Sequence, residues 1–523
     1  MMRALLLSSL ILTSAACGGE EGDYLIVTVN VRPAVHDATT IKVKLSNAGS
    51  ERIEELTLGS QTFPATFSVS APGRTGDLVI DVDALDKDGL LVGRGSGTAM
   101  LDMPTASVLV DSADFVVNTE FADDQLLSNY YEANGFQLAA NADGTWTATH
   151  SASCDTPCNI FGRRFDKDGR LVSSQAAAGT NAFTVSTRLT SFFSTPTVAA
   201  NANTTAFIWN NDVYPPPQIA PAGTPGYSID CRAFDMTGAP TTNQITVTTD
   251  FNANLTSVAP MGNGNFAIAW DGRPTDAGTQ VIRSAVVNPS CMLVAGSQQT
   301  ISTVVGTLPP RGSHAANSGN TLLYVWRLDG NVRMRTVNLQ GVPIGADTQI
   351  VAKTATEAAE HVRVAPLPGG NFAIFVRWAL ITGSTGPGRI DMYRTNNAGV
   401  VQGAPVVVTT RSGTDFNSSE SFGVAAHGDG SIFVVWHSCL MNGDASGCGV
   451  YGRLVSAAGM PIGGDISLAT TTKDDQIRPS AVALPGTPVS FATAWTDKSQ
   501  VAPDTAGASV RARVIYPSDA GGQ

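Results

Sequence analysis

Short runs in which apolar side chains alternate with polar or small ones, each closed by a Gly, Asn or Asp turn, cover most of the chain. The stretch "GDGSIFVVWHSC" (428–439) shows the unit: a glycine turn, a strand of alternating apolar residues, a tryptophan near its end, then a cysteine. The same design recurs. Seven tryptophans, Trp146, Trp209, Trp270, Trp326, Trp378, Trp436 and Trp495, lie 52 to 63 residues apart, and each marks one copy. A copy opens on a small apolar strand ("FQLAAN", "PTVAAN", "LTSVAP", "GSHAAN", "VRVAPL", "FGVAAH", "PSAVALP"), and most copies follow it with a tight turn such as "NADGT", "GNGN", "PGGN" or "GDGS". Such turns accept positive φ and close hairpins. The second strand carries the tryptophan at or near its end, except in the first copy, "GTWTATH", where it sits early. A third strand ends in a turn ("RRFDKDG", "RAFDMTG", "RTVNLQG", "RTNNAG", "RLVSAAG"), and a fourth closes the unit ("FTVST", "ITVTT", "PVVVTT", "ISLATT").

Four short antiparallel strands per unit of roughly 50–60 residues, repeated radially, predict an all-β, seven-bladed β-propeller. Six blades is the alternative if the first copy is irregular. A blade cannot bury both faces alone, so the tryptophan reads as a wedge filler between stacked blades. The seventh copy stops after its third strand, "SVRARVIYP", whereas "FVVNTE" (115–120) precedes the first copy and reads as the missing fourth strand. Pairing the two would remove an exposed sheet edge. The propeller is therefore expected over 112–523. Residues 23–111 carry no tryptophan and alternate at period two in "YLIVTVNV", "TIKVKLS", "ATFSVS", "DLVIDVDAL" and "SVLVD", which reads as a small immunoglobulin-like β-sandwich.

Composition supports the all-β reading, with 52 glycines, 28 prolines and only 15% charged residues. The formal charge is −12, from 32 basic and 44 acidic side chains, with no Lys/Arg cluster, so nucleic acid is not expected as a partner. The first residues, "MMRALLLSSLILTSAAC", set Arg3 before an apolar run too short to cross a membrane, the form of a secretory signal over 1–16. "SAAC" before "GGEEG" resembles a bacterial lipoprotein signal, which implies that Cys17 becomes a lipidated N-terminus with 17–22 as its tether. Ser14 stands where that family has leucine, and ordinary cleavage after Ala16 is the competing reading. Seven cysteines are odd for an exported chain; with Cys17 lipidated, Cys154, Cys158, Cys231, Cys291, Cys439 and Cys448 suffice for three disulfides. Cys154 with Cys158, and Cys439 with Cys448, bracket equivalent loops, and Cys231 with Cys291 would link adjacent blades. The repeats resemble those of bacterial surface and secreted proteins of the form "GGFVVVW…G.YGRRFD..G.P.G..F.VNT", and the propeller lipoproteins of myxobacteria. The best match is "GDGSIFVVWHSCLMNGDASGCGVYGRLVSAAGMPIGGD" from 428. The resemblance implies fold and a cell-surface or outer-membrane address, not an activity.

Candidate chemistry concentrates where the chain varies. The loops between second and third strands differ greatly in length while the opposite turns stay short, and loops on a rigid scaffold carry binding residues. At the roots of these loops stand Asp212, Tyr214, Asp271, Arg273, Arg327, Asp329, His437 and Asp497, the candidate ligand-binding set. Their acidic, basic and aromatic mix suits a polar ligand. No catalytic residue is assigned, because no nucleophile elbow, zinc-binding His-Glu-x-x-His or phosphate loop is present. After residue 124 the chain holds only the glutamates Glu132, Glu357, Glu360 and Glu420, which thins the ground for a carboxylate-pair glycosidase. "FDKDG" at 165 and "LDKDG" at 85 invite calcium, but matching turns read "FDMTG", "VNLQG" and "VSAAG", so hairpin turns are expected, with no metal and no cofactor. The expectation is a monomeric, exported, membrane-tethered protein that binds a glycan, peptide or envelope partner, with a polysaccharide hydrolase or lyase as the alternative.

Overall fold

A computed structural model describes residues 24–117, 125–126, 137–152, 159–173, 182–187, 196–213, 221, 223–381, 388–412, 422–439 and 446–517. They form two compact units, one ending at Phe115 and the other beginning at Val116.

In the first unit, strands β1 (Tyr24–Val31), β2 (Thr40–Asn47), β3 (Ser50–Thr57), β4 (Ala65–Ser70), β5 (Asp77–Leu85), β6 (Leu91–Met100) and β7 (Thr105–Ser112) follow the alternation read from the sequence. In β5 the buried residues are Leu78, Ile80, Val82 and Ala84, with Val79, Asp81 and Asp83 between them; β1 buries Leu25, Val27 and Val29, and all join one core. The hydrogen-bonded path is β3-β2-β5-β6-β7-β1-β4, with β1 and β7 parallel. An immunoglobulin constant domain instead groups its seven strands as 1-2-5-4 and 3-6-7. The expected immunoglobulin-like order is thus not what forms. Alternation decides which face of each strand is buried, whereas the choice of neighbour depends on pairings distant in sequence. Gly95 helps fix one such pairing, since a Cβ there would collide with the Leu109 carbonyl of β7.

The second unit is a seven-bladed propeller. Blades 2 to 6 are four-stranded sheets in sequence order, and blade 1 adds the two-residue strand Gln125–Leu126 beside its second strand. Blade 7 takes its fourth strand from Phe115–Val116, next to Ser509–Ile515, and the Val117 amide continues the pairing to the Val510 carbonyl at 2.7 Å. The ring is therefore closed by a segment far earlier in the chain. First strands sit innermost, each packed on the next, and that of blade 7 on that of blade 1.

Each tryptophan is buried, as a wedge filler must be. Pairing register explains the two irregular copies. In blade 6, Ala426 faces Ile432 and Trp436 lies four residues on; in blade 1, Ala140 faces Trp146, so His150 occupies the position that tryptophan holds elsewhere. His150 is fully buried there, 5.9 Å from the Phe161 ring. In blade 5, Pro366 faces Phe372, which puts Val376 at that position and leaves Trp378 two residues further along.

Arginines of the third strands clamp neighbouring blades. Arg232 donates to the carbonyls of Thr184 and Val185, Arg335 to Ile301, Arg453 to Val408, and Arg513 to Ser467 and Leu468. Each closes a polar gap where one blade's fourth strand meets the next blade, with a charge-assisted hydrogen bond. The turns after the third strands account for the suspected calcium residues. Asp166 accepts the amides of Asp168 and Arg170, Asp235 those of Thr237 and Ala239, and Asn288, Asn338 and Asn396 accept the equivalent pairs. Asp86 of the first unit does the same for Asp88 and Leu90. A carboxylate or a side-chain amide serves equally, because the work is turn capping. Disulfides join Cys231 to Cys291, across blades 2 and 3, and Cys439 to Cys448. Cys17, Cys154 and Cys158 lie outside the described residues.

Candidate functional site

The innermost strands present opposite chemistry at their two ends. Near the short turns, three residues from each of the seven first strands surround a cavity of about 210 Å³. They are Val, Ala, Leu and Pro except for Asn317, as in Val364-Ala365-Pro366 and Val424-Ala425-Ala426. Asn317 is the one polar side chain in this lining. The loop end of the same strands, where second strands finish, is polar.

The register defines a layer there, one residue beyond the tryptophan position. In blades 2 to 7 it holds Asn210, Asp271, Arg327, Arg377, His437 and Thr496. All except Arg327, which is half-buried, are buried. The character changes sharply around the ring: the basic members are consecutive, on blades 4, 5 and 6. First strands add to the same sector, with His314 and Arg311 on blade 4 (Arg311–Ser318) and Glu360, His361 and Arg363 on blade 5 (Glu357–Pro366).

Contacts and charge tie these groups together. His361 is paired across strands with Arg377, and Arg311 lies opposite Arg327, a like-charge pairing that a sheet ordinarily disfavours. Arg377 donates to Glu360 at 2.6 Å. Arg363 lies over the Phe422 ring of blade 6 at 5.3 Å and donates to the Val362 carbonyl at 2.9 Å. The Val364 amide donates to His314 Nδ1 at 3.4 Å, which leaves Nε2 of the neutral ring as the protonated nitrogen. Burial, then the charge of Arg363, holds His314 well below the usual imidazole range. Burial does the same for His361, reinforced by Arg327, Arg377, Arg363 and His437. Both rings are neutral near pH 7. Burial and then Arg327 bring Arg363 down to about 9, so it stays cationic near neutral pH. The sector thus combines guanidinium forks with neutral imidazoles, groups that bind an anion and adjacent hydroxyls.

Of the residues expected from the sequence, Arg327 and His437 belong to this sector. Asp271 is fully buried and its carboxylate accepts the Gly312 amide of blade 4 at 3.1 Å, while half-buried Arg273 is 4.0 Å from Asp276. Asp497 is also fully buried, accepting from Arg511 Nε at 2.8 Å and Gln476 Nε2 at 3.2 Å within blade 7. Asp329, at φ 53°, accepts the amides of Thr307 and Leu308, which lowers its pKa and shapes the approach to blade 4. Asp212 is half-buried at the end of its strand, and Tyr214 lies outside the described residues. The expectation that all these loop roots converge is therefore corrected. A side chain's height and face depend on its register in the strand, and Asp212, Arg273 and Asp329 stand three residues past their tryptophans rather than one. His314, His361, Arg363 and Arg377 were not in the expected set; the signal for His361 and Arg363 was "EHVRVAPL", a first strand in which Arg363 stands where other copies have Thr197, Ser257, Gly423 and Ser480.

The fold and this sector define the protein as a seven-bladed β-propeller with a basic, imidazole-rich sector at its loop end. No protein family and no curated protein sequence matches the chain. Among solved structures, a protein of unknown function from Dyadobacter fermentans is 9% identical, spans 77% of this chain and 98% of its own, and has a TM-score of 0.44. An α-L-arabinofuranosidase from Fusarium graminearum (13% identity, 60% and 90% coverage) and a sialidase from Streptococcus pneumoniae (11%, 92% and 89%) both have TM-scores of 0.37. At these values the likeness assigns no activity.

Proposed function

We propose that this protein is exported, held at a membrane through lipid on Cys17, and binds a glycan, peptide or envelope partner on the loop face of its propeller. The observation that carries the binding reading is the sector on blades 4 to 6. Buried Arg363, Arg377, His361 and His437 gather with Arg327 at the loop end of the innermost strands, while the opposite end is walled by alanine, valine and proline. Buried charged side chains are costly to assemble, and blades 2 and 7 hold the neutral Asn210 and Thr496 at the height of Arg327, Arg377 and His437. Binding is favoured over hydrolysis by the glutamates of this blade, since both are engaged by arginines: Glu360 by Arg377, and Glu357 by Arg389 through paired bonds of 3.0 and 3.2 Å. The lipoprotein-like "SAAC" and the surface-protein form of the repeats support the address.

Two measurements test this reading. A glycan and peptide array probed with the full chain should give ligands whose binding falls on Arg327→Ala and is unaffected by altering the opposite turn at Asn263. Loss of binding only from the Asn263 side would overturn the assignment of the face. Cys17→Ser should move the protein from the membrane to the soluble fraction; an unchanged membrane fraction would overturn the tether.

A further inference from the structure

Resting on the tether proposed above, we infer that the turn face of the propeller lies against a zwitterionic lipid bilayer, touching it through the turns that follow the third strands of blades 3 to 6. The loop face is then directed away from the membrane.

The turns themselves supply the first observation. On blade 1 the turn after the third strand reads "DKDGRL" and is charged. On the four consecutive blades 3 to 6 it reads "NPSCML", "NLQGVPI", "NNAGVV" and "SAAGMPI", with no charged residue. The residue after the buried turn position is Met292, Val342, Val400 and Met460 in blade order, exposed by 54%, 44%, 57% and 59%. Ile344 and Ile462, two residues further on, are exposed as well. These turns adjoin one another. A Cβ on Gly341 of blade 4 would meet Ser297 of blade 3, one on Gly399 of blade 5 would meet Met334 of blade 4, and one on Gly459 of blade 6 would meet Met392 of blade 5. The apolar side chains thus follow one arc of the rim, the kind of exposed surface that marks an interaction site.

The chemistry of the arc favours lipid. Protein interfaces are enriched in Tyr, Trp and Arg, whereas the exposed side chains here are aliphatic or thioether. Arginines beside the turns donate to their carbonyls: Arg335 to Gly345 at 2.9 Å, Arg394 to Ala458 at 2.7 Å and Arg453 to Gly463 at 2.7 Å. In the inner turns of these blades the charged residue is Asp429, bonded to His427 and Ser431. There is no lysine cluster to draw the face to anionic headgroups. The loop face differs. Its exposed Val304 and Leu308 have their amides on the carboxylates of Asp347 and Asp329, at 3.0 and 2.7 Å, and a bilayer would have to desolvate those charges.

The path of the chain gives the third observation. The Val117 amide bonds the Val510 carbonyl just as Ile301 bonds Ile282 and Leu468 bonds Val450, pairings made beside the start of each third strand, at the loop end. Val117 is therefore the loop end of the closing strand, and the chain enters that strand from the turn end. The residues leading back to Cys17 leave the propeller on the side that carries the arc. Partly exposed turn residues orient a tethered protein without holding it, so Cys17→Ser still releases the chain.

The lipidated full chain, reconstituted into phosphatidylcholine vesicles containing a phospholipid with a diazirine on its acyl chain, tests the contact without any variant. After irradiation, cross-linked residues are mapped by mass spectrometry. Cross-links are expected at Met292, Val342, Val400 and Met460 and not at Val305 or Leu308. The triple variant Val342→Ser, Val400→Ser, Met460→Ser, whose changes are at exposed positions and should leave Tm near that of wild type, should lose most of the turn cross-links. Cross-links confined to residues before Phe115 on vesicle-bound protein would overturn the contact and leave the tether standing. Cross-links concentrated at Val305 and Leu308 would show the opposite face on the membrane and overturn it too. Turn cross-links undiminished in the triple variant, or formed only with phosphatidylglycerol vesicles, would overturn the apolar arc as their cause. A chain that does not float with the vesicles at all would remove the tether and the contact together.

Discussion

Replacing Asp497 with alanine separates a structural carboxylate from a ligand-binding one. Asp497 is fully buried in blade 7, and its partner Arg511 is only 4% exposed. Asp497 Oδ2 accepts from Arg511 Nε at 2.8 Å and from the Ser499 hydroxyl, and Oδ1 accepts from Gln476 Nε2 at 3.2 Å. Truncation to alanine strands the guanidinium. Arg511 keeps the Val501 carbonyl at 2.7 Å, but neutral acceptors do not offset a buried positive charge. Breaking a buried pair from one side costs about 3–5 kcal/mol. Unfolding entropy is about 2 cal/mol/K per residue, so a unit of roughly 400 residues loses about 4–6 °C of Tm if it melts cooperatively. Differential scanning calorimetry of wild type and Asp497→Ala gives the shift, and titration with a ligand found on the glycan and peptide array, at a temperature where both are folded, gives binding. The expected outcome is a lower Tm with unchanged affinity per folded molecule. An unchanged Tm with lost binding would refute the structural role and return Asp497 to the ligand site.

Asp271→Ala should cost about 1–3 kcal/mol, because it leaves the buried Gly312 amide without its acceptor, whereas Arg273→Ala should fall within about 0.5 kcal/mol of wild type. Equal effects in urea unfolding would contradict that division. Stability should also fall with acid. His314 and His361 bind protons more weakly folded than unfolded, so their contribution is complete above about pH 6.5 and shrinks below it, by up to about 1.4 kcal/mol per pH unit for each ring. Urea midpoints measured from about pH 7.5 to 5 should therefore decline, and His361→Gln should flatten the slope. A chain beginning after Asp124 should melt below one beginning at Asp111, since it lacks the Phe115–Val116 strand and leaves Ser509–Ile515 at an open edge. Equal melting temperatures would show that the closing strand contributes nothing.

The fold was legible because its signals are local and repeated. A tight turn, an apolar strand and a tryptophan recur seven times, and the third-strand arginines that clamp blades head the quoted "RAFDMTG" and "RLVSAAG" segments. The Cys231–Cys291 link was legible from one repeat of separation, although Cys231 lies within its third strand and Cys291 in the turn that follows the next blade's third strand. The site was half legible. Counting from tryptophans found Arg327 and His437 but passed over Arg377, because Trp378 is displaced by two residues from its position in other blades. Counting from the turns would have recovered it. His361 and Arg363 hid in a first strand, an element read from its small apolar run as packing alone. Strand order in the first unit was not legible, because β1 beside β7 and β2 beside β5 join segments far apart in sequence, which alternation does not report.

The account's central claim is that the loop end of blades 4 to 6 is an anion-binding site. Crystals of the full chain grown with selenate test it most directly, since the anion has the shape of sulfate and its anomalous scattering marks its position. A peak within hydrogen-bonding distance of Arg327 and Arg363 or Arg377, lost in Arg327→Gln crystals, is the predicted result. Peaks confined to other surfaces, with this sector empty at saturating selenate, would contradict the claim.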